Sequence, residues 1–344
     1  MRRIRLTLLL LISFFSLYSQ IPAGYYDTAE GLSGDELKTA LYNIIKGHTE
    51  YPYTSNNTDV WDILKESDKD PGNPDNVILF YTGWSVNAAQ EYNNGSGWNR
   101  EHVWAKSRGD FGTTMGPGTD CHHLRPCDIS VNSARSNRWF DECTTPYLDN
   151  GVETGCYTSS TEWVWQPRDQ VKGDVARMIF YVATRYEGEN GEPDLKVIDY
   201  LPADDNTDEP VHAKLDMLLK WNREDPVDDF ERNRNDVVYS YQHNRNPFID
   251  HPEYVNEIWS TATSTVLIRD DFGSVKVFPN PSAGFINIEN PDKYNIGIYS
   301  ICGTALSVTD DELIRIDGIK PGVYLVRIIN EKANSTGTIK VVVN

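Results

Sequence analysis

The sequence predicts an α+β fold: a mainly helical body around a small ββα unit, followed by a small C-terminal β-sandwich. Apolar residues recur at helical spacing in segments such as 173–186 and 212–222, which predicts the helical body. That spacing disappears over residues 97–140, where His, Cys, Gly and Arg accumulate. After about residue 270, short apolar runs alternate with Pro, Gly and Asp, which is typical of short strands and turns. A chain of 344 residues is long enough for two domains.

The first twenty residues have the pattern of a signal peptide for Sec export. Three arginines precede an apolar stretch over residues 6–17, and Ser19 and Gln20 follow as a small, polar exit. We therefore expect the mature chain to begin near Ile21. No apolar run reaches the roughly 18–20 residues of a spanning helix, so we expect no membrane span.

The body is predicted to begin with a helix near residues 37–45, because Ser33 is a suitable N-cap and Leu37 and Leu41 follow at helical spacing. Residues 56–74 are rich in Asn, Asp, Pro and Gly, and they predict mostly loop. Beyond the ββα unit, helices are predicted over residues 173–186, 212–222 and 225–244, with a short one starting near 251.

The ββα unit is predicted within residues 97–140. A short strand over 102–104, a Gly-rich loop and a second strand over 122–126 would lead into a helix capped by Asp128. Asn132 and Arg135, three residues apart, would share one face of that helix.

The tail consists of short apolar runs with turns about every ten residues, which predicts a β-sandwich. The expected organisation is a signal peptide over residues 1–20, a body over 21–262, a linker over 263–274 and the sandwich over 275–344.

The cysteines predict disulfides. Four of the five, Cys121, Cys127, Cys143 and Cys156, lie within 36 residues of the exported part, and an even set in an oxidising compartment favours two bonds. Three pairings are possible, and the sequence does not choose among them. An extended strand would place Cys121 and Cys127 about 20 Å apart, too far for a direct bond. Cys302 stands apart and is expected to stay free.

Three side chains of the ββα unit suit the hydrolysis of a phosphodiester. A neutral imidazole such as His102 can take a proton from an attacking water. A hard divalent cation, which offsets the charge on the phosphate, prefers carboxylate and amide oxygens such as those of Glu101 and Asn132. Because neighbouring strand residues point to opposite faces, Glu101 and His102 can share one site only where the strand bends or ends.

The body resembles the endonuclease I family of secreted, periplasmic-type nucleases, which carry a His-Me (ββα-metal) finger. The resemblance rests on several motifs in order: REHVW at 100–104, DCHHLRP at 120–126, VNSARSN at 131–137, IPAGYY at 21–26, GDVAR at 173–177, Trp221, and NRNPFID at 244–250.

This resemblance implies roles for individual residues. His102 would be the general base, Glu101 and Asn132 the ligands of Mg²⁺ or of another divalent cation such as Ca²⁺ or Mn²⁺, and His122 a supporting residue. The products would carry a 5′-phosphate and a 3′-hydroxyl, with little sequence preference.

The tail resembles the C-terminal sorting domain of proteins exported by the type IX secretion system. The matching residues are FPNPS at 278–282, Ile298 and Tyr299 ahead of Gly303, and PGVY at 321–324. The resemblance implies an interaction with the secretion machinery and a secreted or cell-surface location.

The charge distribution bears on nucleic-acid binding. The formal net charge of −19 argues against a nucleic-acid partner when taken as a total. Residues 97–140 nevertheless hold six basic and four acidic side chains, so this segment could attract phosphate while the remote surface repels it. Arg108, Arg125 and Arg135 are candidate phosphate contacts by their chemistry alone.

We therefore predict a secreted, metal-dependent, sequence-nonspecific endonuclease that acts as a monomer on DNA, with RNA as an expected second substrate. One alternative is another metallo-phosphohydrolase, such as a phosphatase, that uses His102, His122 and His123 as direct metal ligands. The other is a noncatalytic surface binding protein with a decayed site. For His123, a structural hydrogen-bonding role is the better interpretation.

Overall fold

The computed structural model describes residues 21–204, 207–260, 272, 275–280, 282, 284–300, 305–330 and 335–343. The expected signal peptide, most of the expected linker and Cys302 lie outside these residues. The chain divides into two compact units, the first ending at Ile258 and the second beginning at Trp259. Within the described ranges, no helix combines the length and the apolar character that crossing a membrane requires.

The first unit contains α-helices that are followed by a π-helical turn, Asn256–Ser260. The helices are α1 (Gly34–Ile45), α2 (Val60–Ser67), α3 (Ile129–Arg135), α4 (Lys172–Arg185), α5 (Leu215–Glu224), α6 (Asp229–Gln242), α7 (Pro247–Asp250) and α8 (Glu253–Val255).

Helix α1 confirms the helix predicted near residues 37–45, but the prediction of mostly loop over 56–74 is wrong. Helix α2 lies inside that range. Asp59 caps it by accepting hydrogen bonds from the backbone of Trp61 and Asp62, and the Asp62 carboxylate accepts from the backbone N–H of Asp59 in return. Val60, Ile63 and Leu64 then bury one face of the helix, which stabilises it despite its polar neighbours.

The first unit also contains short strands in four sheets. The strands are β1 (Lys69–Asp70), β2 (Asn73–Ile78), β3 (Ser85–Asn87), β4 (Trp98–His102), β5 (Leu124–Asp128), β6 (Trp139–Phe140), β7 (Thr145–Asp149), β8 (Val152–Ser159), β9 (Val164–Gln166), β10 (Lys196–Ile198) and β11 (Val211–Ala213). The sheets have the orders β1-β2-β3, β4-β5, β6-β9-β8-β7 and β10-β11. The body therefore mixes helix and strand, and the prediction that it is mainly helical is not supported.

Helix α4 runs through the middle of the first unit, and every one of its residues is buried. Helices α1, α5 and α7 pack against it. Its charged residues are paired: the Arg177 guanidinium donates two hydrogen bonds to Glu231, at 2.8 and 2.5 Å. The hydroxyls of Tyr181 and of Tyr186, which follows the helix, donate to Asp120 at 2.8 and 2.9 Å. The helix thereby anchors the segment that leads into β5.

The prediction of two disulfides is wrong for this structure, in which Cys121, Cys127, Cys143 and Cys156 are all free. Three of the four are buried among other side chains. Cys121 packs in an apolar cluster with Leu64 and Trp98, whereas the Cys156 thiol lies 3.2 Å from the carbonyl oxygen of Tyr81. The cysteines therefore fill space in separate parts of the core.

The second unit confirms the predicted C-terminal strands. They are β12 (Lys276–Phe278), β13 (Phe285–Glu289), β14 (Asn295–Ser300), β15 (Ala305–Thr309), β16 (Leu313–Asp317), β17 (Gly322–Asn330) and β18 (Ser335–Val343). They form two sheets, β12-β13-β16 and β15-β14-β17-β18. Alternate residues of both sheets, such as Ile286, Ile288, Ile296 and Ile298, share one apolar cluster, which makes the unit a small sandwich.

Candidate active site

The candidate site lies at the end of β4, in a ββα arrangement formed by β4, β5 and α3. The two strands pair antiparallel from Trp98 with Asp128 to His102 with Leu124, without a shift of register. Asp128 then caps α3 by accepting hydrogen bonds from the backbone of Ser130 and Val131. The predicted ββα succession is therefore present, although both strands occupy other residues than the predicted 102–104 and 122–126.

A cleft of about 800 Å³ opens beside these elements. It is lined by Tyr53, Trp61, Tyr92, Asn99, Arg100, Glu101, His102, Ala105, Lys106, Ser107, Asn132, Ser133, Arg135, Ser136 and Asn137. Glu101 and His102 both line the cleft. Neighbouring strand residues point to opposite faces, but β4 ends at His102, so both side chains can reach the cleft without a bulge. The cleft thus brings together the three residues predicted to carry the chemistry, Glu101, His102 and Asn132.

Glu101 is nearly fully buried and held by two partners. The Tyr81 hydroxyl donates to its Oε1 at 2.7 Å, and Nη1 of Arg135 lies 3.2 Å from the same atom. Burial raises the pKa of the Glu101 carboxyl, and the Arg135 guanidinium and the Tyr81 hydrogen bond oppose that rise. The carboxylate is therefore oriented from the core side while it faces the cleft.

His102 is held between aromatic rings and a backbone carbonyl. Its ring stacks on Tyr53 with a centroid distance of 5.8 Å and an angle of 18°. Its Nε2 lies 3.0 Å from the carbonyl oxygen of Gly118. Burial and the neighbouring His123 lower the pKa of His102 well below its usual value, which favours the neutral imidazole.

Asn132 reaches the cleft from α3 and is tied to β4. Its amide nitrogen donates to Oδ1 of Asn99 at 2.8 Å and lies 3.4 Å from the carbonyl oxygen of Arg100. Because the nitrogen is used in this way, the amide oxygen of Asn132 is the atom left for a ligand. A carboxylate from Glu101 and an amide oxygen from Asn132 are a donor set that suits a hard divalent cation.

Arg135 occupies the core side of the same site. Its Nη1 donates to the carbonyl oxygen of His102 at 3.0 Å, and its Nη2 donates to that of Val103 at 2.6 Å. The side chain is fully buried and also pairs with Glu101. The expectation that Arg135 contacts phosphate is therefore not supported, because its donors orient the end of β4.

Arg108 and Arg125 are also buried, and they donate hydrogen bonds to acceptors within the protein. Arg108 donates through Nε and Nη2 to the carbonyl oxygen of Asn137, at 2.9 and 2.5 Å. Arg125 donates to Asp68 at 2.6 Å and to Asp174 at 3.2 Å. Neither side chain lines the cleft. Three of the six basic residues over 97–140, Arg108, Arg125 and Arg135, are therefore buried and do not contribute to a positive surface.

His122 and His123 are buried in the core rather than placed at the cleft. Nε2 of His122 lies 3.0 Å from the carbonyl oxygen of Asn244, and Nε2 of His123 lies 2.7 Å from that of Pro117. Within the described part of the chain, no group of three or more His, Cys, Asp or Glu side chains could hold a metal ion. The alternative with three histidine ligands is therefore not supported. The contacts of His123 support the interpretation that it has a structural hydrogen-bonding role.

Two further cations line the cleft, Arg100 and Lys106, and neither is among the site residues expected from the sequence. Arg100 lies in the REHVW motif, two residues before His102. Because alternate residues of a strand point to the same face, this spacing could have indicated that Arg100 shares a face with His102. Its guanidinium packs on the rings of Tyr53 and Trp61, at 3.3 and 4.0 Å from their centroids. Lys106 is exposed just beyond the strand, where no pattern singled it out.

Comparisons with known proteins identify the family of this chain. The family model for Endonuclease I matches residues 33–253, and the model for the secretion system C-terminal sorting domain matches residues 276–344. An extracellular ribonuclease of Bacillus subtilis (strain 168) is 55% identical over 236 residues, which cover 68% of this chain and 78% of the relative. An extracellular ribonuclease of Bacillus amyloliquefaciens is 55% identical over 238 residues, with the same coverage of both chains. The chain therefore belongs to the endonuclease I family and is a secreted or cell-surface nuclease with a C-terminal type IX sorting domain.

Proposed function

We propose that this nuclease is a metal-dependent, sequence-nonspecific endonuclease that hydrolyses RNA and DNA. The observation that carries the proposal is the convergence of His102, Glu101 and Asn132 on one cleft from two different elements. An imidazole, a carboxylate and an amide oxygen are the groups that hydrolysis of a phosphodiester by water requires. On this proposal β4, β5 and α3 form a His-Me finger.

His102 is the proposed general base. With Nε2 facing the Gly118 carbonyl oxygen at 3.0 Å, that nitrogen carries the ring proton, and Nδ1 is left with the lone pair. A neutral ring in this tautomer can accept the proton of an attacking water. Stacking on Tyr53 holds the ring in place, so the acceptor atom is positioned before the substrate arrives.

Glu101 and Asn132 are the proposed ligands of a Mg²⁺-type cation. Such an ion would offset the charge on the phosphate and on the leaving oxygen. Tyr81 and Arg135 orient the Glu101 carboxylate, and Asn99 orients the Asn132 amide. Such supporting contacts fix the geometry of ligands and are themselves sensitive to mutation.

Both RNA and DNA are proposed substrates. The similar Bacillus proteins are named extracellular ribonucleases, which supports RNA. Because the proposed nucleophile is water rather than the ribose 2′-hydroxyl, the same chemistry applies to DNA. Cleavage would leave a 5′-phosphate and a 3′-hydroxyl on either polymer.

The proposed organisation of the whole protein keeps the expected limits: a signal peptide over 1–20, a catalytic body over 21–262, a linker over 263–274 and the sorting domain over 275–344. The match of the sorting-domain model to residues 276–344 supports the last of these. We propose that the sorting domain contacts the secretion machinery and that the nuclease acts as a monomer.

The test is to incubate the purified protein with circular plasmid DNA and with a single RNA species, with and without EDTA. Cleavage of both polymers, its loss in EDTA and its recovery on adding Mg²⁺ are the expected results. Product ends are then identified by labelling with polynucleotide kinase before and after phosphatase treatment. RNA products with a 2′,3′-cyclic phosphate or a 3′-phosphate would exclude water as the nucleophile and so overturn the mechanism. Undiminished cleavage in EDTA would overturn the role of the metal.

A further inference from the structure

An exposed tyrosine lies in the proposed catalytic cleft, and its side chain has no partner among the residues that the structure describes. Tyr92 lines the cleft with 61% of its surface exposed. Its side chain makes no hydrogen bond or ring contact with any residue that the structure describes. A large aromatic side chain left open to water at the edge of a functional cleft points to a ligand that covers it.

The backbone holds Tyr92 in an uncommon conformation. Its φ of 53° and ψ of −42°, together with the 2.6 Å hydrogen bond from the Asn93 N–H to the Glu91 carbonyl oxygen, define a γ-turn. Positive φ is unfavourable for a bulky residue such as tyrosine. Strained residues of this kind persist where the surroundings fix them, and they cluster at ligand sites.

The surroundings of Tyr92 do fix it. Its backbone N–H donates to the carbonyl oxygen of Trp98 at 2.7 Å, so the turn is pinned to the beginning of β4. Gly97 closes the loop, because a Cβ atom there would lie 1.8 Å from the carbonyl oxygen of Gln90. Lys65 anchors the other end through an ion pair with Glu91 at 2.5 Å. The turn thus presents one aromatic side chain beside the beginning of β4, the strand that carries Glu101 and His102.

The rest of the cleft supplies the other groups that a nucleotide needs. Arg100 and Lys106 bring positive charge, and the Arg100 guanidinium packs on the rings of Tyr53 and Trp61. The cleft volume of about 800 Å³ exceeds the space that a single phosphate group would need. An exposed aromatic ring beside basic groups is how proteins bind nucleic-acid strands through base stacking and backbone charge.

We propose that Tyr92 stacks on an unpaired nucleobase next to the scissile phosphate, so that the enzyme selects single-stranded over duplex nucleic acid. The inference rests on the proposed nuclease function and adds a substrate class to it. In a duplex the faces of the bases are covered by their neighbours, so an aromatic side chain can stack only on a strand that is single or locally opened. Stacking tolerates any base, which agrees with cleavage that has little sequence preference.

The test measures binding and cleavage by Tyr92→Ala and Tyr92→Phe in the full-length protein. Binding is measured by fluorescence anisotropy in the presence of a His102→Ala substitution, with a labelled single strand and with its blunt duplex, as DNA and as RNA. Loss of one stacked base weakens binding by about tenfold or more. We expect that loss for Tyr92→Ala on the single strands of both polymers, a change of less than about twofold on the duplex, and near-complete retention for Tyr92→Phe.

Two controls separate stacking from a general loss of affinity. Tyr200 is equally exposed, at 62%, and does not line the cleft, so Tyr200→Ala should leave every affinity unchanged. A single strand whose central nucleotides are abasic should bind wild-type and Tyr92→Ala proteins equally, because it offers no base at the subsite.

The proposal fails if Tyr92→Ala binds the single strand as well as the parent does. It also fails if the substitution weakens binding to the duplex and to the abasic strand as much as it weakens binding to the single strand. Cleavage by the protein without the His102 substitution distinguishes this failure from that of the proposed function. If that protein cleaves neither polymer, the nuclease proposal itself is wrong. If it cleaves both, and the ratio of kcat/KM for single strand over duplex is the same in Tyr92→Ala, only the stacking subsite is wrong.

Discussion

Two sets of side chains from the same short stretch of sequence end on opposite sides of the ββα arrangement. The cleft-facing set consists of Arg100, Glu101, His102, Lys106 and Asn132.

The core-facing set consists of Arg108, Arg125, His122 and His123, together with Arg135, which lines the cleft but is fully buried. Both sets contain arginine and histidine, and these residues differ between the sets in their partners. Core-facing cations donate to backbone carbonyls and to buried carboxylates, whereas Lys106 remains exposed and Arg100 half-buried. The cations in the core stabilise geometry. In the cleft, Lys106 is exposed to substrate, whereas Arg100 also donates to the carbonyl oxygen of Tyr53 and to the Thr54 hydroxyl. Residue type alone therefore does not assign a function to an arginine or a histidine.

The largest effect is expected for His102→Ala, at the centre of the cleft-facing set. Removing a general base lowers kcat by roughly 10²–10⁴-fold. Circular dichroism, thermal unfolding and the affinity for a short DNA strand should stay near the wild-type values. Plasmid nicking in Mg²⁺ at more than a tenth of the wild-type rate would show that His102 is not the base.

A comparable effect, on stability rather than on turnover, is expected for Arg125→Ala in the core-facing set. Its loss leaves the buried Asp68 with Arg234 as its remaining cation and the buried Asp174 with Arg177 at 3.9 Å, which costs up to about 3–5 kcal/mol in the free energy of unfolding. Urea denaturation measures this loss. Arg232→Ala is the matched control, because its pair with Asp229 is exposed and contributes less than about 1 kcal/mol.

If Arg125 instead contacts phosphate, Arg125→Ala will lower the affinity for nucleic acid and leave the unfolding midpoint unchanged. That result would remove Arg125 from the core-facing set and contradict the comparison. If the Arg125→Ala molecules that remain folded keep the wild-type kcat, the comparison is supported.

The buried His122 makes stability depend on pH. Burial lowers the pKa of His122 to about 4, and its Nδ1 has no hydrogen-bond partner among the described residues that could accept a proton from the charged ring. The unfolded chain takes up this proton near pH 6.5. Stability from His122 is therefore complete above pH 6.5 and is lost as pH falls toward 4, by about 3 kcal/mol in all.

The measurement is urea denaturation of His122→Gln and of the wild type at intervals between pH 7 and 4. The free energy of unfolding should depend on pH less steeply in the variant, by up to about 1.4 kcal/mol per pH unit. His243→Asn, an exposed substitution that suits the positive φ of 63° at this position, should retain the wild-type slope. Identical slopes for wild type and His122→Gln would contradict the assignment of His122 to the core-facing set.

The smallest effect is expected for Lys106→Ala, because Lys106 is exposed and forms no ion pair with the residues that the structure describes. We expect KM for RNA to rise a few-fold, kcat to stay within twofold, and the slope of log affinity against log salt to decrease by about 1. Kinetics at several NaCl concentrations provide the measurement. An unchanged salt slope would mean that Lys106 does not meet a phosphate.

The chemistry of the site was more predictable than its electrostatics. Glu101, His102 and Asn132 were identified from motifs and from the chemistry that hydrolysis requires, and the structure places all three at one cleft. The structure does not support the cation candidates Arg108 and Arg125, because both side chains are buried, and the partners that bury Arg125 lie far away in sequence. Asp68 and Asp174 lie 57 and 49 residues from Arg125, so no local pattern could reveal the ion pairs.

The secondary structure shows the same division. Helix α1 and the strands of the sandwich follow from apolar spacing within each segment. Helix α2 was missed because polar residues dominate its surroundings, while its buried face depends on packing against α6. The disulfides were predicted from compartment and count, but pairing requires geometry that places two thiols together, and the four described cysteines are free.

The sequence by itself determined the family motifs, the residue types at the site and the change from the body to a C-terminal sandwich. These properties depend on side-chain chemistry and on short-range periodicity, which are written along the chain. Only the tertiary structure decided which side of the ββα arrangement each cation and imidazole occupies. It also showed Tyr92 exposed at the cleft. The physical reason is that burial, ion pairing and exposure depend on residues that meet only when distant segments pack together.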